Sequence, residues 1–143
     1  MIGLIDPKQI SRDKRLTLFD ISDYDKLLYR IKELSNLIIL PNIWTEVDNL
    51  MNKSVGVLKN RYIEVCKKLS FEIKENYLKS HLGFASPYIF NLGLTDSLLL
   101  DWIKNHDCTL ISIDSKLCDI ARAHNLNVID MVKEKNDEIF KKN

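Results

Sequence analysis

Three acidic residues stand where they could do chemistry together. Glu46 lies in Leu40-Pro41-Asn42-Ile43-Trp44-Thr45-Glu46-Val47, Asp96 in Leu92-Gly93-Leu94-Thr95-Asp96-Ser97, and Asp114 in Leu110-Ile111-Ser112-Ile113-Asp114-Ser115. Each follows an apolar run or opens a helical pattern. An α/β fold can bring such scattered carboxylates together as oxygen ligands for a hard divalent ion. Each acid also has a plain structural use: Asp114 is placed to cap a helix, and Asp96 follows Thr95 in a first turn facing the positive helix end. Glu46 reads alone as a solvated helix residue. Only their joint occurrence favours a site.

The elements that must position these acids are legible in the pattern. A helix opening near Ser22-Asp23 carries Leu27, Leu28, Ile31 and Leu34 on one face. Leu37–Leu40 reads as a short buried strand, and Pro41 suits the first turn of the next helix, whose apolar face is Ile43, Trp44, Val47 and Leu50. Gly56 permits a break before a helix over Val57–Leu69, which exposes Lys59, Arg61, Lys67 and Lys68. Between Phe71 and Phe90, Gly83, Ser86 and Pro87 leave room only for short helical pieces. Thr95 then opens a helix through Leu98, Leu99, Trp102 and Ile103, followed by a strand at Cys108–Ile113, a helix at Ser115–His124 and a strand at Asn127–Ile129. Strands alternating with helices imply a parallel sheet. From Lys133 the chain is mostly charged and reads as a weak surface helix or frayed end.

Composition bounds the function classes. The 143 residues suit a single domain over 1–132 with a polar tail at 133–143, and a net charge of +1 leaves any phosphate binding to local patches. Cys66, Cys108 and Cys118 lie in no Cys-x-x-Cys pair and at no zinc spacing with His81, His106 or His124, which predicts reduced core thiols in a cytoplasmic protein. No apolar stretch is long enough to cross a membrane. Walker-type, dinucleotide-binding and Gly-x-Ser-x-Gly loops are absent, which argues against those enzyme classes. Trp44 and Trp102 fall on apolar helix faces and read as core.

Taken together, Leu40-Pro41-x-Ile43-x-Thr45-Glu46-Val47-x-Asn49-Leu50, Leu92-Gly93-Leu94-Thr95-Asp96 and Ser112-x-Asp114-x-x-Leu117 resemble the motifs of the PIN-domain family over about 3–130. The resemblance implies a three-layer α/β/α fold with a central parallel sheet and a metal-dependent ribonuclease. Glu46, Asp96 and Asp114 would then hold Mg²⁺ or Mn²⁺, with Asp6 in an auxiliary place. By their own setting, Ser112 reads as packing in its strand or bonding a neighbouring acid, and Asp119, at helical spacing from Ser115, as an outer ligand or an exposed residue. Arg12, Lys14 and Arg15 read as a phosphate-binding group on the RNA or as a solvated loop diluted by Asp13. The resemblance admits RNA, an antitoxin or other protein, and a second copy of the chain as partners.

The departure is at the front, where the family places a strand ending in an aspartate. A subset of the family continues into Gly-x-x-Asp-Pro and a Lys-Arg pair, and this chain opens with Gly3-Leu4-Ile5-Asp6-Pro7 followed by Lys14-Arg15. The main expectation is therefore that the first strand and its acid are missing and that Asp6 is a turn residue. The other alignment makes Ile2–Ile5 that strand and Asp6 its ligand, although Gly3 weakens so short a strand. The runner-up function is a catalytically inactive or truncated PIN-like module that binds RNA or a protein.

Overall fold

A computed structural model describes residues 2–11, 14, 16–51 and 55–142. The chain is mixed α/β, and by internal packing it divides into two compact units, Met1–Tyr77 and Leu78–Asn143.

The first unit opens with a helical turn, α1 (Ile2–Ile5), in place of the strand considered for this segment. Asp6 then caps a 3-10 turn at Pro7–Gln9. Its Oδ1 accepts from the Lys8 N–H at 3.1 Å and its Oδ2 from Gln9 Nε2 at 3.2 Å. A run of four mostly apolar residues fits either geometry, and the Asp6-Pro7 stop signal favours a capped turn over a strand end.

Helix α2 (Ile21–Ile31) starts just ahead of the expected point because Asp20, not Ser22, is its cap. Asp20 Oδ1 accepts from Ser22 N at 2.7 Å, and Asp23 Oδ2 accepts from Asp20 N at 2.9 Å, a reciprocal capping box. Leu34 falls outside this helix, in a 3-10 turn at Leu34–Asn36. Strand β1 (Ile38–Ile39) follows, and α3 (Pro41–Met51) begins at Pro41, as its fixed φ and missing N–H suggest.

Helix α4 (Gly56–Glu72) leads to β2 (Lys74–Glu75), which pairs in parallel with β1 in the register Ile38 to Lys74 and Ile39 to Glu75. No apolar signal marks β2, since both its residues are charged and exposed. The core here is two small clusters. Ile5, Val47, Met51 and Tyr62 form one, and Ile39, Leu69 and Ile73 the other, with Ile43 and Val65 packed against both. Trp44 packs against the second cluster, in line with its reading as core. The basic residues of α4 are exposed, but Glu64 and Phe71 interrupt them.

The second unit holds α5 (Ser80–Phe84) and α6 (Ile89–Lys104), with a kink at Gly93, whose φ of 79° lies in the region that favours glycine. The two helices pack closely at Gly83, where a Cβ would come within 2.6 Å of Leu94 Cδ1. Then come β3 (Thr109–Ser112), α7 (Ser115–Ala123), β4 (Asn127–Asp130) and α8 (Met131–Lys142), so the charged C-terminal segment is helical. Strands β3 and β4 pair in parallel from Thr109–Asn127 to Ser112–Asp130. The elements from β3 to β4 fall within a residue or two of the sequence expectation.

One buried cluster, Leu100, Ile103, Leu110, Leu117 and Ala121, joins α6, β3 and α7, with Trp102 packed at its edge. The described strands thus form two two-stranded parallel sheets, one in each unit. No described helix is long and apolar enough to cross a membrane.

Candidate functional site

Each proposed metal ligand has a definite local setting. Glu46 is exposed on α3, in the helix that follows β1 after one intervening residue. Asp96 is half-buried on α6, three residues past the Gly93 kink. Asp114 is exposed at the N-cap of α7, just beyond the carboxyl end of β3, and its Oδ1 accepts from the Leu117 N–H at 3.0 Å. Ser112 bonds the backbone of the neighbouring acid. It accepts the Asp114 backbone N–H at its Oγ, at 3.0 Å, which fixes the turn from β3 into α7.

Glu46 belongs to the first unit, and Asp96 and Asp114 to the second. Among the described residues no group of three or more His, Cys, Asp or Glu side chains is placed to hold a metal ion. The donors fit a hard cation in chemical kind, since all three are carboxylates. Capping does not remove Asp114 from that set, because a carboxylate has lone pairs for more than one partner.

The auxiliary residues have other partners. Asp119 pairs with Arg122 Nη1 at 2.6 Å, on an exposed face of α7. Asp6 is the cap already described. Its carboxyl sits below the ordinary value because the Gln9 amide and then the Lys8 N–H favour the charged form, against a smaller effect of burial. Lys14 is exposed, and Arg12 and Arg15 lie outside the described residues.

The most constrained acid is one the sequence reading passed over. Asp130, at the end of β4, is 5% exposed and pairs with Arg122 Nη2. Its Oδ1 also accepts the Lys133 N–H at 3.0 Å. Burial alone would raise its carboxyl, but the Lys133 N–H and the Arg122 guanidinium outweigh that and hold it below the ordinary value. A signal was present: Val128-Ile129-Asp130 before a helix repeats the strand, acid, helix order of Ile111-Ser112-Ile113-Asp114. Beneath this pair, Cys118 is fully buried, and burial, then the nearby Asp130 charge, push its thiol up to about 11. Such a thiol is inert.

The fold and the placement of these acids carry the functional argument alone, because no protein-family model, no curated protein and no solved structure matches the chain.

Proposed function

We propose that the chain is a metal-dependent ribonuclease of PIN-like type that hydrolyses RNA phosphodiester bonds. The observation that carries this reading is the β3–α7–β4 segment: a parallel pair with Asp114 at the turn from the carboxyl end of β3 into α7, where α/β folds hold their ligands. Glu46 follows β1, the parallel strand of the other unit, in similar fashion, and the three motifs occur in the family's order. The proposal includes the family's three-layer α/β/α arrangement around one parallel sheet.

In this reading Glu46, Asp96 and Asp114 hold Mg²⁺ or Mn²⁺, and Lys14 and Arg15 steer the RNA backbone. The ion would supply an activated water and stabilise charge on the leaving oxygen. Asp114 is kept in place by the Leu117 and Ser112 hydrogen bonds, so its carboxylate stays at the strand end without help from a ligand.

Calorimetric titration of Mn²⁺ into the chain and into Asp96→Asn and Asp114→Asn tests the proposal, with an RNA-cleavage assay beside it. Asparagine preserves the α7 cap, so loss at Asp114→Asn reports a ligand and not a helix defect. Binding lost in both variants, with cleavage lost in parallel, is the expected result. A folded chain that binds no Mn²⁺ overturns it.

A second reading, a non-catalytic PIN-like module that binds RNA or a protein, is favoured by one specific observation. Asp114 already serves as a cap and Asp119 and Asp130 as ion-pair partners, and among the described residues no group of three or more His, Cys, Asp or Glu is placed to hold a metal ion. RNA retained by a chain that binds no Mn²⁺ is its signature.

A further inference from the structure

Helix α4 of the first unit buries Tyr62 and Leu69 on one side and exposes most of the other. On the exposed side Arg61 and Lys68 stand seven residues apart, and Lys67 and Lys68 precede Phe71 by four and three residues, so three cations and a ring fall along one stripe. At the helical rise the stripe from Arg61 to Phe71 is about 15 Å long. Among the described residues Arg61 and Lys67 form no ion pair. Lys68 meets Glu72 at 3.7 Å with its own side chain 76% exposed, a pair that water weakens and a phosphate can replace. Positive charge continues off the helix. After the Gln9 amide and the Lys8 N–H, the Arg61 and Lys8 charges also help hold the Asp6 carboxyl low, so both cations lie near that turn. Phe71, at the end of the stripe, is 91% exposed. A wet phenyl ring alone is ordinary. Beside two lysines it completes what an unpaired nucleic-acid strand needs, cations for the backbone and an aromatic face for a base.

We infer that this face of α4 binds an unpaired RNA strand, with phosphates at Arg61, Lys67 and Lys68 and one base stacked on Phe71. The stripe matches about four nucleotides at the stacked rise of ~3.4 Å along a strand. A duplex keeps its base faces stacked on each other, so only a single strand can use both the cations and the ring. An acidic peptide supplies the charge but no obligatory flat face for the ring. Glu64, in the middle of the stripe, opposes the phosphates, which keeps the affinity modest and gives the test a sign. Contacts to phosphate and to a base face do not read the 2′-hydroxyl, so the commitment to RNA rests on the proposed function. None of these residues is among the proposed metal ligands.

A short labelled oligouridylate is titrated into the native chain in EDTA, which stops metal-dependent cleavage, and its anisotropy is followed between about 50 and 200 mM salt. Three phosphate contacts on a single strand predict that log K falls with log salt with a slope of about −2, and Arg61→Gln or Lys67→Gln should each cut that slope by about 0.7. Phe71→Ser should weaken binding about tenfold with the slope unchanged, and a hairpin duplex should bind the native chain as weakly as the oligouridylate binds Phe71→Ser. Glu64→Gln should tighten binding. All these positions are exposed, so the unfolding midpoints should stay at the native value, which separates lost contact from lost fold. A silent Phe71→Ser, or oligoglutamate that displaces the RNA at comparable concentration, would overturn the inference and leave a face for acidic partners at large. Failure of Mn²⁺ binding with this pattern intact would overturn the nuclease and keep the strand-binding face. Mn²⁺-dependent cleavage with no response to the α4 substitutions would do the reverse.

Discussion

The two units solve the same problem, a pair of parallel strands covered by helices, with different economy. In the second, β3 and β4 are four residues each and a single capped helix joins them over one continuous apolar cluster. In the first, β1 and β2 are two residues each, two helices intervene, and the core is two smaller clusters sharing Ile43 and Val65. Pairing Ile38 with Lys74 closes a loop about twice as long as pairing Thr109 with Asn127, which adds roughly 0.6 kcal/mol of closure cost. The lesson is that the compact β–α–β segment is held by local contacts, while the first unit relies on side chains far apart in sequence.

Truncating one buried leucine in each unit should produce the largest effects and break the comparison most directly. Leu117, 1% exposed in the continuous cluster, should lose about 4 kcal/mol on Leu117→Ala, because close-packed neighbours cannot collapse into the void. Leu69, 3% exposed in a smaller cluster, should lose about 2–3 kcal/mol on Leu69→Ala. Urea unfolding combined with segment-resolved hydrogen exchange measures both. Equal losses, or the reverse order, would mean that the divided core packs as firmly as the continuous one.

Next in size is the pair that closes the second unit. Removing Arg122 strands the Asp130 carboxylate, which is 5% exposed. Because the Arg122 side chain is itself 33% exposed, the cost of Arg122→Met is about 2 kcal/mol, less than for a fully buried pair. The pH dependence has a definite sign. Asp130's carboxyl lies below the ordinary 3.8 in the folded chain, so its contribution is present above that value and is lost as pH falls through the lower, folded pKa. Thermal unfolding of Asp130→Asn should therefore show a shallower acid decline than the native chain. Identical slopes would place the acid sensitivity elsewhere.

The caps come third and compare the units one against one. Asp20→Ala in the first unit and Asp114→Ala in the second should each cost about 1 kcal/mol, measured by denaturant unfolding. Asp114→Asn should be close to neutral, since Asn caps as well as Asp. A large loss with Asn would show that the charge of Asp114, and not its hydrogen bond, holds the strand end.

The same contrast explains what the sequence made legible. From Thr109 to Asp130, alternating apolar runs, Asp114 before a helix and Asn125 at its end with φ of 57° all agree, so pattern and fold coincide. In the first unit the signals conflict or are silent. Ile2–Ile5 is too short for periodicity to separate helix from strand, and Lys74–Glu75 has no apolar mark because its pairing uses backbone groups alone. Among the site residues, Asp114 could be read as both cap and candidate, and it is observed as a cap. Asp130 and Arg122 went unread because their contact joins a helix to a strand, a relation outside the i+3 and i+4 spacings.

The smallest effects are expected where each unit exposes an aromatic ring. Phe71 at the end of α4 is 91% exposed and Phe90 at the start of α6 is 98% exposed. An exposed ring has almost no burial to lose, so Phe71→Ser and Phe90→Ser should each change unfolding free energy by no more than about 0.5 kcal/mol. A loss above about 1 kcal/mol would mean that the ring is covered in solution by something outside the isolated chain, and coverage by a second copy makes the unfolding midpoint rise with protein concentration. Concentration dependence in the native chain that Phe90→Ser abolishes and Phe71→Ser does not would place self-association on the second unit, the one that also carries Asp96 and Asp114.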